Sequence, residues 1–209
     1  LEALTGTLPG RLGVAVSGGP DSLALLLLAH ATCPERVEAA TVDHGLRPGS
    51  RDEALYVGEI CAGLACPHAI LPVAVPDGPE GMQAEARRAR YAVLAEWARE
   101  RGLSTVATAH HLDDQAETLL MRLQRGAGLS GRAGIRAARE EAGILILRPL
   151  LGWTRAELAG VVVAAGIEAV DDPSNRDVRF DRVRVRAFLG QHPEFDPRRL
   201  ARAAAALGD

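Results

Sequence analysis

Short apolar runs alternate along this chain with longer segments in which apolar residues recur every three or four positions, the pattern of βαβ units feeding a parallel sheet. The runs predict strands at about Leu12–Val16, Val37–Val42, His68–Val73, Ser104–Ala107 and Ile144–Leu147. Helices are predicted at about Ser22–Ala31, Arg51–Ala65, Gly81–Arg101 and Asp114–Arg125, with turns at Pro34, Gly45, Pro67 and Gly102. Thr154 is placed to cap a helix through Ala165, Asp171-Asp172-Pro173-Ser174-Asn175 reads as a turn, and a polar segment leads into a last helix at about Pro197–Leu207. The expected class is therefore α/β, with ligands bound beyond the carboxyl ends of the strands where the strand order reverses. Ser17-Gly18-Gly19, Asp43-His44-Gly45 and His110-His111 each follow a predicted strand, so they should share one rim.

The first of these motifs carries the most chemistry. Gly18 and Gly19 let the backbone approach an anion, Pro20 presets φ for a first helical turn, and a helix opening there aims unpaired N–H groups and its positive end at a phosphate. Ser17 and Ser22 can add hydroxyl donors. A phosphate loop of the Walker type needs a Lys after its last glycine, and the chain contains none, so that type is excluded. Asp21 would repel phosphates unless a divalent cation lay between, which gives it the role of holding Mg²⁺. The plainer alternative is a strand-to-helix turn capped by Asp21 or Ser22.

Composition narrows the setting. With 209 residues, 47% of them apolar and only 3% aromatic, the chain suits one large domain, or one with a small appendage, whose core Leu, Val and Ala must fill. The net charge of −3 argues against a uniformly basic surface. Arginines are nevertheless clustered, at Arg122, Arg125, Arg132, Arg136 and Arg139, and again at Arg176, Arg179, Arg182, Arg184 and Arg186. The second cluster is the better candidate for anion binding, the first for a solvated face. Cys33, Cys61 and Cys66 are odd in number and lack zinc or redox spacing, which favours a reduced, intracellular protein. No apolar run approaches membrane-spanning length. The glycine-rich stretch Gly126–Gly131 reads as a mobile loop near the site, or as a plain connector.

The second constellation is His110-His111-Leu112-Asp113-Asp114-Gln115-Ala116-Glu117-Thr118. Asp114 and Glu117 are three apart, so on a helix their carboxylates share a face and could hold an ammonium group or a metal, or act as a general base. An Asp-x-x-Glu capping box is an equal alternative. Adjacent histidines at a strand end point to opposite sides. We expect His110 to face the ligand and His111 to pack. A metal cluster from Asp43, His44, His110, Asp113 and Asp114, as in metal-dependent phosphohydrolases, is a weaker signal because no pair has zinc-helix spacing.

Taken together, these motifs resemble a known family. Ser17 to Ser22 is similar to the phosphate loop of the N-type ATP pyrophosphatases, the PP-loop superfamily. Val42-Asp43-His44-Gly45-Leu46-Arg47, Ala86-Arg87-Arg88-Ala89-Arg90-Tyr91, Thr108 to Thr118, and Asp172-Pro173-Ser174-Asn175 leading to Phe180-Asp181-Arg182 resemble, in order, segments of the bacterial tRNA(Ile)-lysidine synthetases. Val183 departs from that pattern, where Asn is usual, and so does Arg132, where an apolar residue is usual.

The resemblance implies a parallel-sheet PP-loop ATPase domain over residues 1–187, with residues 188–209 a helical extension or the start of a tRNA-binding region. It implies a cytoplasmic ligase that uses ATP and Mg²⁺ to adenylate the C2 carbonyl of the wobble cytidine in a CAU-anticodon tRNA(Ile). Free lysine then displaces AMP. By position, Ser17, Gly18, Gly19, Pro20, Asp21 and Ser22 would bind the ATP phosphates, with Mg²⁺ on Asp21. His110, Asp114 and Glu117 would line the lysine and reaction site, and Arg90 and Arg182 would meet phosphate or activated cytidine. Subunit pairing is left open. A tRNA thiolase would need cysteines at the rim, and a non-catalytic nucleotide-binding module would have no use for His110, Asp114 and Glu117 opposite the loop.

Overall fold

Strand pairing and two separate hydrophobic faces organise the computed structural model, which describes residues 10–45, 49–74, 82–126, 134–172, 177 and 179–207. The strands are β1 (Leu12–Ala15), β2 (Val37–Asp43), β3 (His68–Pro72), β4 (Thr105–Ala107), β5 (Ala138–Glu141) and β6 (Ile144–Leu147). They form one sheet in the order β3-β2-β1-β4-β6-β5, parallel throughout except for β5 against β6. The helices are α1 (Pro20–Thr32), α2 (Ser50–Gly63), α3 (Met82–Glu100), α4 (Leu112–Gln124), α5 (Arg155–Ala164), α6 (Asp181–Gln191) and α7 (Pro197–Ala206). The chain moves outward from β1 through β2 to β3, then returns to the other side of β1 with β4. The reversal therefore lies between β1 and β4, as the sequence motifs require.

The period of two along each strand divides the core. Leu12 and Val14 of β1, with Val16 just beyond it, pack with Leu23, Leu25 and Leu26 of α1, Val57 of α2 and Leu158 and Val162 of α5. Val106 and Ile146 pack on the opposite face with Tyr91, Leu94 and Trp97 of α3. Cys33, Cys61 and Cys66 are free thiols buried in the first of these layers. Gly13 points toward α3, and a Cβ there would lie 2.9 Å from Cζ3 of Trp97 and 3.0 Å from Cγ2 of Val106. The missing side chain is what lets the indole lie flat on the sheet.

Two elements were not expected from the sequence. β5 joins β6 through Ala142 and Gly143, both at positive φ (51° and 80°), a two-residue turn whose twist suits a hairpin. Helix α6 forms from Asp-Arg-Val-Arg-Val-Arg, whose alternation has the period of a strand. The expected helix from Thr154 is present. Thr154 Oγ1 accepts the Glu157 N–H while Glu157 Oε2 accepts the Thr154 N–H at 2.7 Å, a reciprocal cap.

α7 lies against α4 through Ala201 and Ala204, and the Gly134 N–H donates to the Ala204 carbonyl at 3.0 Å. The expected boundary at residue 187 falls inside α6. Residues 127–131 of the glycine-rich stretch, Arg132, Leu46-Arg47 and Pro173-Ser174-Asn175 lie outside the described residues. Among the described residues no helix is long and apolar enough to cross a membrane.

Gly13→Ala should lower stability by about 1–3 kcal/mol through overpacking, measured by denaturant unfolding. Part of the loss should return when Trp97→Leu is combined with it, because the two sites share one contact. Additive losses would show that the indole is not the obstacle.

Candidate functional site

Helix α1 begins without a side-chain cap. Gly19 is its N-cap, in extended conformation at φ −71° and ψ 161°, and Pro20 opens the first turn. The capping alternative for Asp21 and Ser22 is thereby removed, and the helix N-terminus is left open to an anion. Gly18 takes φ +86°, and a Cβ there would lie 2.9 Å from Cγ2 of Val170, whose N–H donates to the Gly18 carbonyl at 2.9 Å. The loop is thus pinned from the side by the segment after α5.

Ser22 is only 6% exposed, and its hydroxyl works inside the turn. It donates to the Gly19 carbonyl at 2.9 Å and accepts the Ser17 N–H at 3.0 Å, with Ser17 Oγ a further 3.2 Å away. Of the two expected hydroxyl donors, Ser17 is the exposed one. Ser22 shapes the loop.

Across the strand-order reversal, α4 starts at Leu112 with His111 as its N-cap. Asp114, at the third helical position, accepts the His111 N–H at 3.0 Å. The capping residue is therefore His111, and Glu117 sits a turn further on, outside the box. His111 is 1% exposed, with Nε2 3.3 Å from Asp21 Oδ2 and 3.7 Å from Asp114 Oδ2, and Nδ1 3.5 Å from Asp113 Oδ2. Burial disfavours its charged form, but Asp113 and Asp21 outweigh that and raise its pKa to about 9. His111 packs, as expected of it, and in doing so it bridges the starts of α1 and α4. Asp113 also catches the Arg155 N–H at 2.9 Å, tying α4 to the start of α5. Burial opposes its ionisation, yet His111 and that N–H bring its pKa down to about 2.

His110 turns the other way, with Nδ1 3.1 Å from Thr108 Oγ1. Burial above all, helped by the charges of Arg148, Arg87 and Arg182 and opposed by Asp114, lowers its pKa to about 4. It is a neutral imidazole at physiological pH.

Glu117 is 1% exposed and enclosed by arginines. Arg186 Nε donates to its Oε1 at 2.8 Å, Arg182 Nε lies 3.3 Å from Oε2, and Arg155 Nη2 lies 3.6 Å from Oε1. Arg182 also reaches Thr118 Oγ1 at 3.4 Å and Asp114 Oδ1 at 3.8 Å. The second arginine cluster therefore divides. Arg182 and Arg186 turn inward, whereas Arg179 pairs with Asp177 and Arg184 with Asp181. Arg186 stood in the sequence only as one of the second arginine cluster, and its spacing of four from Arg182 is the signal that puts both on one helix face; Arg155 was not singled out.

Arg90 is exposed on α3, where its charge joins burial in lowering the pKa of His44. Among the described residues no hydrogen bond or ion pair joins it to the Ser17–Ser22 loop. Asp43 accepts from the Gly45 N–H at 3.0 Å and the Ser50 hydroxyl at 2.8 Å, so its carboxylate is spent on the turn. Among the described residues no group of three or more His, Cys, Asp or Glu side chains could hold a metal ion, which removes the phosphohydrolase cluster. A lone carboxylate with phosphate oxygens remains a fit for Mg²⁺, and Asp21 Oδ1 is buried without a hydrogen-bond partner.

Residues 3–193 match the PP-loop domain family. The chain belongs to that family. Among curated relatives, the tRNA(Ile)-lysidine synthases of Zymomonas mobilis and Novosphingobium aromaticivorans are 49% and 51% identical over 205 residues. In each case the match covers 96% of this PP-loop chain and 62% of the relative, so the chain spans about three fifths of their length. The solved structure of the U34-tRNA thiolase NcsA from Methanococcus maripaludis, with its 4Fe-4S cluster, superposes with a TM-score of 0.76 at 16% identity, covering 94% of this chain and 71% of that one. That is a likeness of fold. The cysteines of this PP-loop chain are buried in the core, Cys33 at the end of α1, Cys61 within α2 and Cys66 just after it.

The His110 ring should stay neutral down to about pH 4, so its NMR signals should not move between pH 5 and 8. Because its folded pKa lies below the unfolded 6.5, its contribution to stability is complete above that value and lost as pH falls toward 4. His110→Gln should flatten stability across that window relative to the parent protein. An equal slope in both would show that the imidazole does not carry the effect.

Proposed function

We propose that this PP-loop chain carries the catalytic site of a tRNA(Ile)-lysidine synthase. The observation that supports it most is the contact of Asp21 with His111, at 3.3 Å, which brings the phosphate loop and the His110–Glu117 motif side by side. The relatives that share half its residues and bear that name point the same way.

In this reading, ATP lies with its β and γ phosphates over the N-terminus of α1, met by Ser17, the loop backbone and the positive helix end. The wobble cytidine of a CAU-anticodon tRNA(Ile) presents its C2 oxygen to the α phosphorus. The O–P bond forms as the bond to pyrophosphate breaks, and the oxygen becomes part of a good leaving group. Lysine then attacks C2, its amine loses a proton, and the C2–O bond breaks to release AMP. Mg²⁺, when bound, neutralises the departing pyrophosphate, and Asp21 would hold it through the unpartnered Oδ1. Catalysis of this kind is chiefly charge neutralisation and orientation.

The protein groups have distinct tasks. Arg90 and Arg182 face the phosphates or the activated base, where a permanent planar charge is useful. Asp114 and Glu117 serve the ammonium groups of lysine. Since Glu117 is enclosed by Arg155, Arg182 and Arg186, lysine reaches it by displacing a guanidinium, which becomes free to meet phosphate. His110, neutral and held by Thr108, is a proton acceptor or donor at the reacting centre. A tRNA substrate accords with a cytoplasmic location.

Asp21→Asn should reduce tRNA-dependent pyrophosphate release from ATP by about a hundredfold or more. Undiminished release would remove Asp21 from phosphate chemistry. Glu117→Gln should raise the KM for lysine in lysidine formation more than the KM for ATP, read with labelled lysine and the tRNA transcript. Equal effects on both would make Glu117 a structural anchor alone.

A further inference from the structure

The face of the sheet covered by α3 carries, at its rim, cations that the function above leaves unused. Ala107 of β4 is in register with Leu147 of β6, and the Thr108 N–H donates to the Leu147 carbonyl at 2.9 Å. Val106 and Ile146 face α3, so two residues further on Thr108 and Arg148 emerge on that same face. Arg148 is 2% exposed. Its Nη1 donates to the Arg136 carbonyl at 2.7 Å, but its Nε is buried with no acceptor.

Arg87 approaches from α3. Its guanidinium carbon stands 4.9 Å from the centre of the Tyr91 ring, and Nη2 reaches the Tyr91 hydroxyl at 3.4 Å. Arg139, 5.7 Å from the same ring, is paired with Glu141. Among the described residues neither Arg87 nor Arg148 has a carboxylate partner. His110 stands beside them on Thr108, and the acid nearest to balancing it is Asp114, which already serves His111 and Arg182. A buried guanidinium with an unfilled donor carries a desolvation cost that an anion would relieve.

We propose that Arg148, Arg87 and His110 form a second anion seat, separate from the Ser17–Ser22 loop, that takes a phosphoryl group. Three donors arrive from three elements, β6, α3 and the end of β4, which suits a tetrahedral acceptor with several oxygens better than a planar one. Two fixed positive charges match a group bearing one or two negative charges. The phosphoryl group comes from the nucleotide or from the RNA backbone. This seat extends the proposed function, whose crevice is taken to receive both.

The test measures binding, not turnover. Dissociation constants for Mg-ATP and, separately, for the tRNA(Ile) transcript would be determined for the 209-residue chain, Arg87→Met, Arg148→Met and Arg148→Lys, with unfolding midpoints alongside. A third arm reads the rise in unfolding midpoint caused by inorganic phosphate. The seat predicts about a tenfold or greater weakening of ATP or tRNA binding in the Met variants, with partial retention in Arg148→Lys. Weakening confined to tRNA, with a shallower salt dependence, identifies the backbone phosphate. Weakening confined to ATP identifies the nucleotide. If the Arg148 variants do not fold, the exposed Arg87→Met decides, and a folded Arg87→Met that matches the parent chain in all three arms overturns the seat. Failure of the ligation reading would show instead as absent lysine incorporation by the parent chain, which leaves these comparisons intact.

Discussion

The juxtaposition of the two motifs depends on one buried imidazole. Asp21, Asp113 and Asp114 come from the first turns of α1 and α4, which follow adjacent strands, and three carboxylates so placed would drive those helix starts apart. His111 stands among them with both ring nitrogens directed at carboxylate oxygens. Its raised pKa keeps it cationic through the neutral range. The same residue begins α4 as its N-cap, so a helix start, a charge balance and the alignment of the two motifs rest on a single side chain. The arrangement leaves Asp21 Oδ2 engaged and Oδ1 buried without a hydrogen-bond partner.

A turn further along α4 the charges are reversed. Glu117 is one anion among guanidinium groups from α5 and α6. Breaking a buried pair of this kind by removing one partner is costly, because the other charge is left without water. Glu117 thereby fixes where α6 docks, and the docking of α6 fixes where Arg182 stands. Position and charge are transmitted through α4, whose one face carries Asp114 and Glu117 and whose other buries Ala116 and Leu119. The same spacing of three that places the carboxylates together exposes them to both sets of partners.

Most of the sheet and the site were legible from residues alone because the signals were local. Leu12–Val16 followed by Ser17-Gly18-Gly19-Pro20 specifies a strand, a turn and a helix start within ten residues. The parallel order and the shared rim followed from that repetition. What escaped depended on partners distant in sequence. The Val-Arg alternation of α6 has a strand's period, and only pairing of Arg182 and Arg186 with Glu117 shows why it is helical. β5 is a run of Arg and Glu without apolar alternation, recognisable only from Ala142-Gly143 ahead of an apolar strand. His110 and His111 were correctly expected to diverge, but which of them would meet Asp21 depended on the starting residue of α4, and helix boundaries are the least certain part of a sequence reading. The burial of Arg148 likewise depends on a distant segment, the carbonyls of Arg136 and Ala137 ahead of β5.

The hairpin has a further effect on how the molecule meets others. An unpaired strand at the margin of a sheet offers a row of free amides and carbonyls to any neighbouring chain, and proteins blunt such margins with charge and brevity. β5 does both, being four residues long and carrying Arg139, Glu140 and Glu141. It seals the side of the sheet nearest Arg148 against strand-to-strand adhesion.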